Sequence, residues 1–562
     1  MRTTALPVLA FVVAAVGPAA CRLEETGATF ISPDAFYQND AQAASAVNGV
    51  YAPLMDWNGW KQPAQHSIMC DDDEMLCWNW MGGGFSGQSA GQWYMQDNAV
   101  WFGDYQIIER ANEVVANVAR SAGITQAMKQ TATGQALFAR AYAYFDLVRR
   151  YGGVPLRLEA YTPDAQMGAK ARSSVADVYQ QIAKDLRDAA GLLPASYANP
   201  NGQGLPRAAA AWGLLAKVYL HMAGDQATGT PLAANKTAYL DSAGLAAQQV
   251  MSSGTASLEA KYMDLFDVNK QNTSAEVLFA VQGATVNLLG SNIPSFFGPR
   301  GDCGIVGGCG QGFMSVREDF YRTFEAGDKR AEANTAIAHT WEVTLSPFGR
   351  IRAIHTDSLA TLRANGVVAR DQAFRWGNWS EGCGSFEQQF DSLTLTDAAD
   401  PTRTTTAVYA IGRPIYSLKY IDPQHTGSEY APANNFIILR YADVLLLFAE
   451  AENERNGPTG AAYAAINQVR QRAGLAPLAG LSQDEFRQAV WTERSHELYG
   501  EFQARFDLIR EGRWLDVMNQ RSTIPDYAPH GICRPRQAYQ TLQPIPQREL
   551  AANPLLQQNP GY

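Results

Sequence analysis

Apolar residues recur every three to four positions through much of the chain before residue 252 and again after residue 436. One face of a helix requires that spacing. The stretch "SPDAFYQNDAQAASAVNGVYAPL" predicts a helix opened by Ser32 or Asp34 and running toward Leu54. A second helix is expected over 98–120, with Trp101, Tyr105, Ile108 and Asn112 on one side. In "TGQALFARAYAYFDLVRRYGGVPL" the stripe is Leu137, Ala141, Tyr144, Phe145 and Val148; Gly152, Gly153 and Pro155 end it. "RSSVADVYQQIAKDLRDAAGLLP" places Val178, Ile182, Leu186 and Ala189 on one face, capped by Ser173 or Ser174. "PRAAAAWGLLAKVYLHMAG" and 239–251 predict two more helices. Small and large apolar residues alternate, and the turns are short. Stacked helix pairs of the tetratricopeptide kind have this texture, although no clean period of about 34 residues survives.

From about residue 252 to 435 glycine, proline and aromatics dominate, with short β-rich runs such as "EVLFAVQG" and "TAVYAIGRPIY". This predicts a long irregular insertion carrying small hairpins. Helices return with "FIILRYADVLLLFAEAENERNG", apolar nearly all round and therefore expected to be one central buried helix. Its Arg440, Asp443, Glu450 and Glu452 then need partners, for which Arg494, Arg505 and Arg510 are candidates. The chain thus divides into an N-terminal helical part over 21–251 with an aromatic loop at 57–94, an insertion over 252–435, and a C-terminal helical part over 436–562.

Formal net charge is −10 over 562 residues, so no basic excess exists to displace counterions from a nucleic acid. Residues 1–20 resemble an export signal: Arg2, an apolar run from Ala5 to Val16, then small residues before Cys21. The Ala-Ala-Cys ending resembles a bacterial lipoprotein signal with Cys21 lipidated, although Pro18 stands where leucine is usual; secretion without lipid is the alternative. No other apolar run reaches the ~18 residues of a membrane span. Beyond Cys21 the cysteines are Cys70, Cys77, Cys303, Cys309, Cys383 and Cys533. An even number in an exported chain favours disulfides. Short loops favour Cys70–Cys77 and Cys303–Cys309, which leaves Cys383–Cys533. Neither C-x-x-C nor clustered histidine supports a zinc site, and no metal or cofactor is expected.

Several segments in order resemble the SusD/RagB family of outer-membrane nutrient-binding lipoproteins. They are "ARAYAYFDLVRRYGGVPL", "RSSVADVYQQIAKDLRDAAGLLP", "LRYADVLLLFAEAENE", "INQVRQRAGLAPL", "ERSHELYGEFQARFDLIREGRW" and the ending "LQPIPQRELAANPLLQQNPGY". After Glu501 the family usually has glycine, and here Phe502 stands there. The resemblance implies stacked helix pairs bearing an irregular ligand-binding half. It also implies a non-enzymatic role: capturing oligosaccharide or peptide and delivering it to a TonB-dependent, SusC-like transporter.

Candidate chemistry concentrates in "CDDDEMLCWNWMGGGFSGQSAGQWY" (70–94). Its "GQSAG" matches a nucleophile elbow but lacks the preceding strand and following helix that such an elbow needs. Asp71, Asp72, Asp73 and Glu74 are adjacent, unlike alternating calcium ligands, and are expected to form a solvated turn. Asp73 and Glu74 have a second reading, as a cap on the next element or a ligand contact. Trp57, Trp60, Trp78, Trp80, Trp93 and Tyr94 lie off the helical stripes. Tryptophan and tyrosine faces stack on sugar rings while Asn and Arg meet hydroxyls. The expected ligand wall is therefore Trp78, Asn79, Trp80, Trp93 and Tyr94, with Arg375, Trp376, Asn378 and Trp379 from "FRWGNWSEGCGSF" in the insertion. A secreted glycoside hydrolase on a helical scaffold is the competing class, with no recognisable catalytic constellation behind it.

Overall fold

The computed structural model describes residues 36–55, 71–77, 94–160, 168–197, 204–227, 229–285, 290, 293–297, 314–333, 335–345, 350–355, 388–396, 404–412, 415–422, 425, 432–522 and 535–562. In the first half, helices pack on their neighbours in chain order. Helix α1 (Asp40–Tyr51) meets α2 (Tyr94–Arg120), α2 meets α3 (Gln126–Tyr151), α3 meets α4 (Val175–Leu192), α4 meets α5 (Ala208–Ala223), and α5 meets α6 (Lys236–Met251). Polar caps start several of them. Asn39, Thr125 and Ser174 side chains accept the backbone N–H of Gln42, Met128 and Asp177, which supplies donors that the first turn cannot pair internally. Ser32 and Asp34 lie outside the described residues.

The stripe expected on α4 is fully buried at Val178, Ile182, Leu186 and Ala189. Helix α3 is more central than its stripe implies: every residue from Gly134 to Tyr151 is buried. Its charges are consequently paired inside the protein. Arg140 grips Asp185 in a two-pronged contact at 2.7 and 2.8 Å, and Arg150 Nε donates to Asp146 at 2.7 Å. Gly152 ends α3 at φ +73°, where an L side chain would be strained.

In the second half, strand β9 (Phe436–Arg440) precedes α7 (Tyr441–Asn456), followed by α8 (Gly460–Arg472), α9 (Gln483–Leu498), α10 (Ala504–Arg510) and α11 (Trp514–Ser522). The single buried helix expected from residue 436 is therefore a strand and then a helix. "FIILR" is rich in β-branched and aromatic residues and pairs antiparallel with β2 (Val277–Val281). Arg440, at φ −142° and ψ 165°, is still extended, and the helix begins at Tyr441. Gly213 lets α5 approach both elements: a Cβ there would sit 3.0 Å from Val444 Cγ2 and 3.1 Å from Leu439 Cδ2.

The charges of α7 find partners mostly as expected. Arg494 donates to Asp443 at 2.9 Å and Arg510 clamps Glu450. Arg505 instead pairs with Asp71. Glu452 needs no guanidinium, because Asn456 and Thr459 donate to it. Lys217 on α5 adds a second cation to Asp443 at 2.6 Å.

Between the helical half and the insertion lies a buried ionic network. Glu497 on α9 accepts from Arg440, Arg472 and Arg330. Arg440 also binds Glu276 at 2.9 Å and Glu501 at 2.8 Å, and Arg472 binds Glu276 at 2.9 Å. Arg330 reaches Asp328 and Glu493, Arg470 reaches Glu493, and Lys419 reaches Glu501. Burial alone would raise the pKa of Glu497, but Arg472, Arg440 and Arg330 outweigh it and hold the carboxylate well below the usual range. Just past this site Phe502 adopts φ +61°, the left-handed region where glycine is the easy choice. Its ring packs edge-on against Phe436 at 4.8 Å, and that burial offsets the backbone cost.

Asp104 on α2 is fully buried, and its two oxygens meet no N–H donor among the described residues. Its hydrogen-bond partner is the Asp146 carboxyl. Two carboxyls bond this way when one keeps its proton, and Asp146 already accepts from Arg150, which leaves the proton on Asp104. Burial first, then repulsion from Asp146, raises the Asp104 pKa well above the ordinary value, against Arg150 and Arg149.

Two outcomes are expected. Glu497→Gln should cost about 3–5 kcal/mol of stability in urea denaturation, because three guanidiniums lose a buried counter-charge; an unchanged midpoint would contradict the role given to Glu497. Asp104 keeps its proton when folded and loses it near pH 4 when unfolded, so its contribution is complete below about pH 4 and declines as pH rises toward the folded pKa. Asp104→Asn cannot ionise and should gain stability relative to the parent as pH rises above about 4, the unfolded-state pKa of an aspartate. A pH-independent difference in denaturation midpoint would count against the shared proton.

Candidate ligand-binding site

The acidic run before the tryptophans is not a solvated turn. Asp71, Asp72 and Glu74 are all at most 3% exposed. Asp71 accepts from Arg505 at 2.9 Å on one oxygen and from Arg536 at 3.0 Å on the other. Its backbone carbonyl accepts the Trp514 indole N–H at 3.0 Å. Asp72 turns the chain: its Oδ1 accepts the backbone N–H of both Glu74 and Met75 at 3.0 Å, an Asx turn. Ser495 on α9 donates to Glu74 at 2.9 Å, and the Glu74 carbonyl accepts from Arg317 N at 3.0 Å. Distant arginines and helix α9 thus draw the acids inward. Of the two acids with a second reading, Glu74 is buried and Asp73 only partly so; the cap is made by Asp72.

The stem leads directly into β1 (Met75–Cys77). Strand β1 pairs antiparallel with β3 (Met314–Val316), with Cys77 opposite Met314. Strand β3 pairs with β8 (Ile415–Ser417), and β8 with β4 (Ile337–Leu345), Ser417 opposite Ile337. Cys77, Met314, Ser417 and Ile337 therefore mark one end of a sheet. Segment 78–93 leaves from that end. Strand β5 (Arg350–His355) pairs with β4, His355 opposite Thr340. Strand β7 (Thr404–Gly412) pairs with β4 and with β6 (Gln388–Thr396); Gly412 lies opposite both Glu342 and Gln388. Segment 356–387, which carries the second aromatic group, thus starts and finishes within about five ladder positions of Ile337, roughly 17 Å. Either connecting segment, extended, exceeds that distance.

Behind the stem is a cavity of ≈ 190 Å³ between the acidic run and helix α9, lined among others by Asp73, Glu74, Trp491, Arg494 and Arg513. Burial, then repulsion from Asp72 and Asp73, raises the Glu74 pKa well above its usual value. Glu511, on the same wall, is pushed up to about 8, burial outweighing Arg510 and Arg513. Among the described residues no group of three or more His, Cys, Asp and Glu is placed to hold a metal ion.

Trp78, Asn79, Trp80, Trp93, Arg375, Trp376, Asn378 and Trp379 lie outside the described residues, as do Trp57, Trp60 and "GQSAG". Tyr94 is the first residue of α2. Cys21, Cys70, Cys303, Cys309, Cys383 and Cys533 are likewise outside, and Cys77 ends β1. The residues that sequence reasoning missed are Arg505, Arg536 and Ser495 as anchors of the acids. The signal was an arginine-rich C-terminal region facing an unexplained acidic run. If Asp71 is the anchor, Asp71→Asn should speed hydrogen exchange of the amides of 72–77 at least about tenfold and leave α3 unchanged. Equal protection in both proteins would contradict the anchoring role.

Two family models match the chain: one described as the SusD family over residues 313–562, the other as starch-binding associating with outer membrane over residues 32–220. The SusD-like protein P2 of Formosa agariphila is 26% identical over 561 aligned positions, covering 96% of each chain. A SusD homolog from Bacteroides thetaiotaomicron superposes with a TM-score of 0.71 at 22% identity, covering 94% of this chain and 98% of that one. A laminarin-binding SusD-like protein superposes with a TM-score of 0.66 at 21% identity, covering 94% of this chain and 100% of that one. The helical stack, the inserted sheet and both family matches agree: the chain belongs to the SusD/RagB family.

Proposed function

We propose that the protein is a surface glycan-binding protein that captures an oligosaccharide and passes it to a TonB-dependent, SusC-like transporter. Trp78, Trp80, Trp93 and Tyr94, with Trp376 and Trp379, supply faces for sugar rings, and Asn79, Arg375 and Asn378 supply hydrogen bonds to hydroxyls. The observation that carries this reading is the sheet register: Cys77, after which segment 78–93 begins, and His355 and Gln388, which flank segment 356–387, belong to strands of one sheet. The buried stem supports it, since a loop clamped at Asp71, Asp72 and Glu74 loses less conformational entropy on binding. The laminarin-binding relative makes a glycan the first ligand class to test. The role is binding and not catalysis. Retention at the outer membrane follows from lipid on Cys21; no helix among the described residues is long and apolar enough to cross a membrane.

Calorimetry with a panel of oligosaccharides and peptides on the purified mature protein should find a glycan ligand and no turnover of it. The Trp80→Ala, Trp376→Ala double variant should lose about 2 kcal/mol or more of binding, as anchor aromatics do, with little change in unfolding midpoint. Unchanged affinity in that variant, or binding of peptides alone, would overturn the reading. For location, Cys21→Ala should release the protein from the outer-membrane fraction in cells lacking the transporter. Retention of that variant would refute the lipid anchor.

A further inference from the structure

We infer that Glu74 is a proton-operated latch on the stem of the aromatic loop. Protonated, it holds the run 71–77 against α9 and the sheet; ionised, it releases that run.

The four adjacent acids are not served alike. Asp71 has two guanidiniums, from Arg505 and Arg536. Asp72 takes two backbone N–H groups. Asp73 is only partly buried. Glu74 is buried, and among the described residues its carboxyl has one hydrogen-bond partner, the Ser495 hydroxyl.

The cations near it are engaged elsewhere. On α9, Arg494 serves Asp443 and Asp507. Arg317, just after β3, serves Asp319. Lys419, after β8, reaches Glu501 and the Tyr499 carbonyl. Arg513, on the cavity wall, serves Glu511 at 2.8 Å. Burial, then Arg330, pushes the pKa of His496 down to about 4, so this neighbour on α9 is neutral above that pH. The remaining charges about the cavity are the carboxyls of Asp73, Asp507 and Glu511. Burial, Asp72 and Asp73 therefore favour the acid form of Glu74. An ionised Glu74 would be a buried charge without a counter-ion, which a protein avoids by moving it to water.

Little has to break for that move. The Glu74 carbonyl accepts one bond, from Arg317 N, and β1 is a three-residue strand at the edge of its sheet. Short edge elements open locally without unfolding the scaffold. The cavity of ≈ 190 Å³ that Glu74 lines has room for water. Segment 78–93 follows this stem directly, so release would also weaken ligand capture; that consequence rests on the function proposed above, whereas the latch does not.

Hydrogen exchange without ligand, followed from about pH 4 to pH 10 and corrected for intrinsic rates, tests the latch; the limits are the unfolded pKa values of glutamate and lysine. Relative to α4, exchange of the amides of 72–77 should rise at least about tenfold as pH increases. A carboxyl whose folded pKa is raised stabilises at low pH and loses that contribution as it ionises. Glu74→Gln cannot ionise and should abolish the rise. Asp73→Asn removes a repelling charge at a partly exposed position and should move the rise to lower pH, which keeps the test decisive if Glu74→Gln does not fold. A parent without the rise would overturn the proposal. So would a rise unmoved in Asp73→Asn. A rise that persists in Glu74→Gln would overturn it too, and would point to Glu511, whose pKa is pushed up to about 8. Because no ligand is present, these results do not depend on whether a glycan binds.

Discussion

The carboxylate of Glu497 sits in contact with the guanidiniums of Arg330, Arg440 and Arg472, and the two halves of the molecule meet there. Arg440 ends the strand that pairs with the insertion, Arg472 ends helix α8, and Arg330 belongs to the insertion itself. None of these charges can be left alone in a dry interior: stripping water from an ion costs several kcal/mol unless opposite charge and hydrogen bonds replace it. Glu276, Glu493, Glu501, Asp328, Lys419 and Arg470 complete the pairing. Such a network specifies arrangement more than it stabilises. Apolar packing would tolerate a shifted insertion, whereas misaligned buried ions would not.

The same logic recurs at the acidic run of residues 71–74. Asp71 is to Arg505 and Arg536 what Glu497 is to its arginines, a buried acid drawing together segments far apart in sequence. Helix α9 links the two places. Glu493 and Glu497 point to the network, Arg494 bridges Asp443 and Asp507, and Ser495 holds Glu74. Consecutive residues on a helix face different directions. One helix can therefore fasten the scaffold on one side and the loop stem on another.

Much of this was legible in the sequence. The stripe of α4 and its Ser174 cap could be read because local spacing and cap chemistry decide them. The fold class could be read because the helical segments are long and periodic. "FIILR" was misread because a fully apolar run has no period to distinguish strand from helix; its partner strand is well over a hundred residues earlier. The acids at 71–74 were misread because exposure is the usual fate of adjacent carboxylates, and their partners lie more than 400 positions downstream. Phe502 was visible as a departure, and its positive φ shows why glycine is the usual choice there. The proposed aromatic wall is a reading of composition, and what the structure adds is the register of the strand before segment 78–93 and of the strands on either side of segment 356–387.

A crystal structure of the mature protein with an oligosaccharide bound tests the central claim most directly. Trp80 and Trp376 should contact the same ligand, on the side of the sheet end marked by Cys77 and Met314. Trp80 and Trp376 on opposite faces, or a ligand held elsewhere with neither in contact, would contradict it.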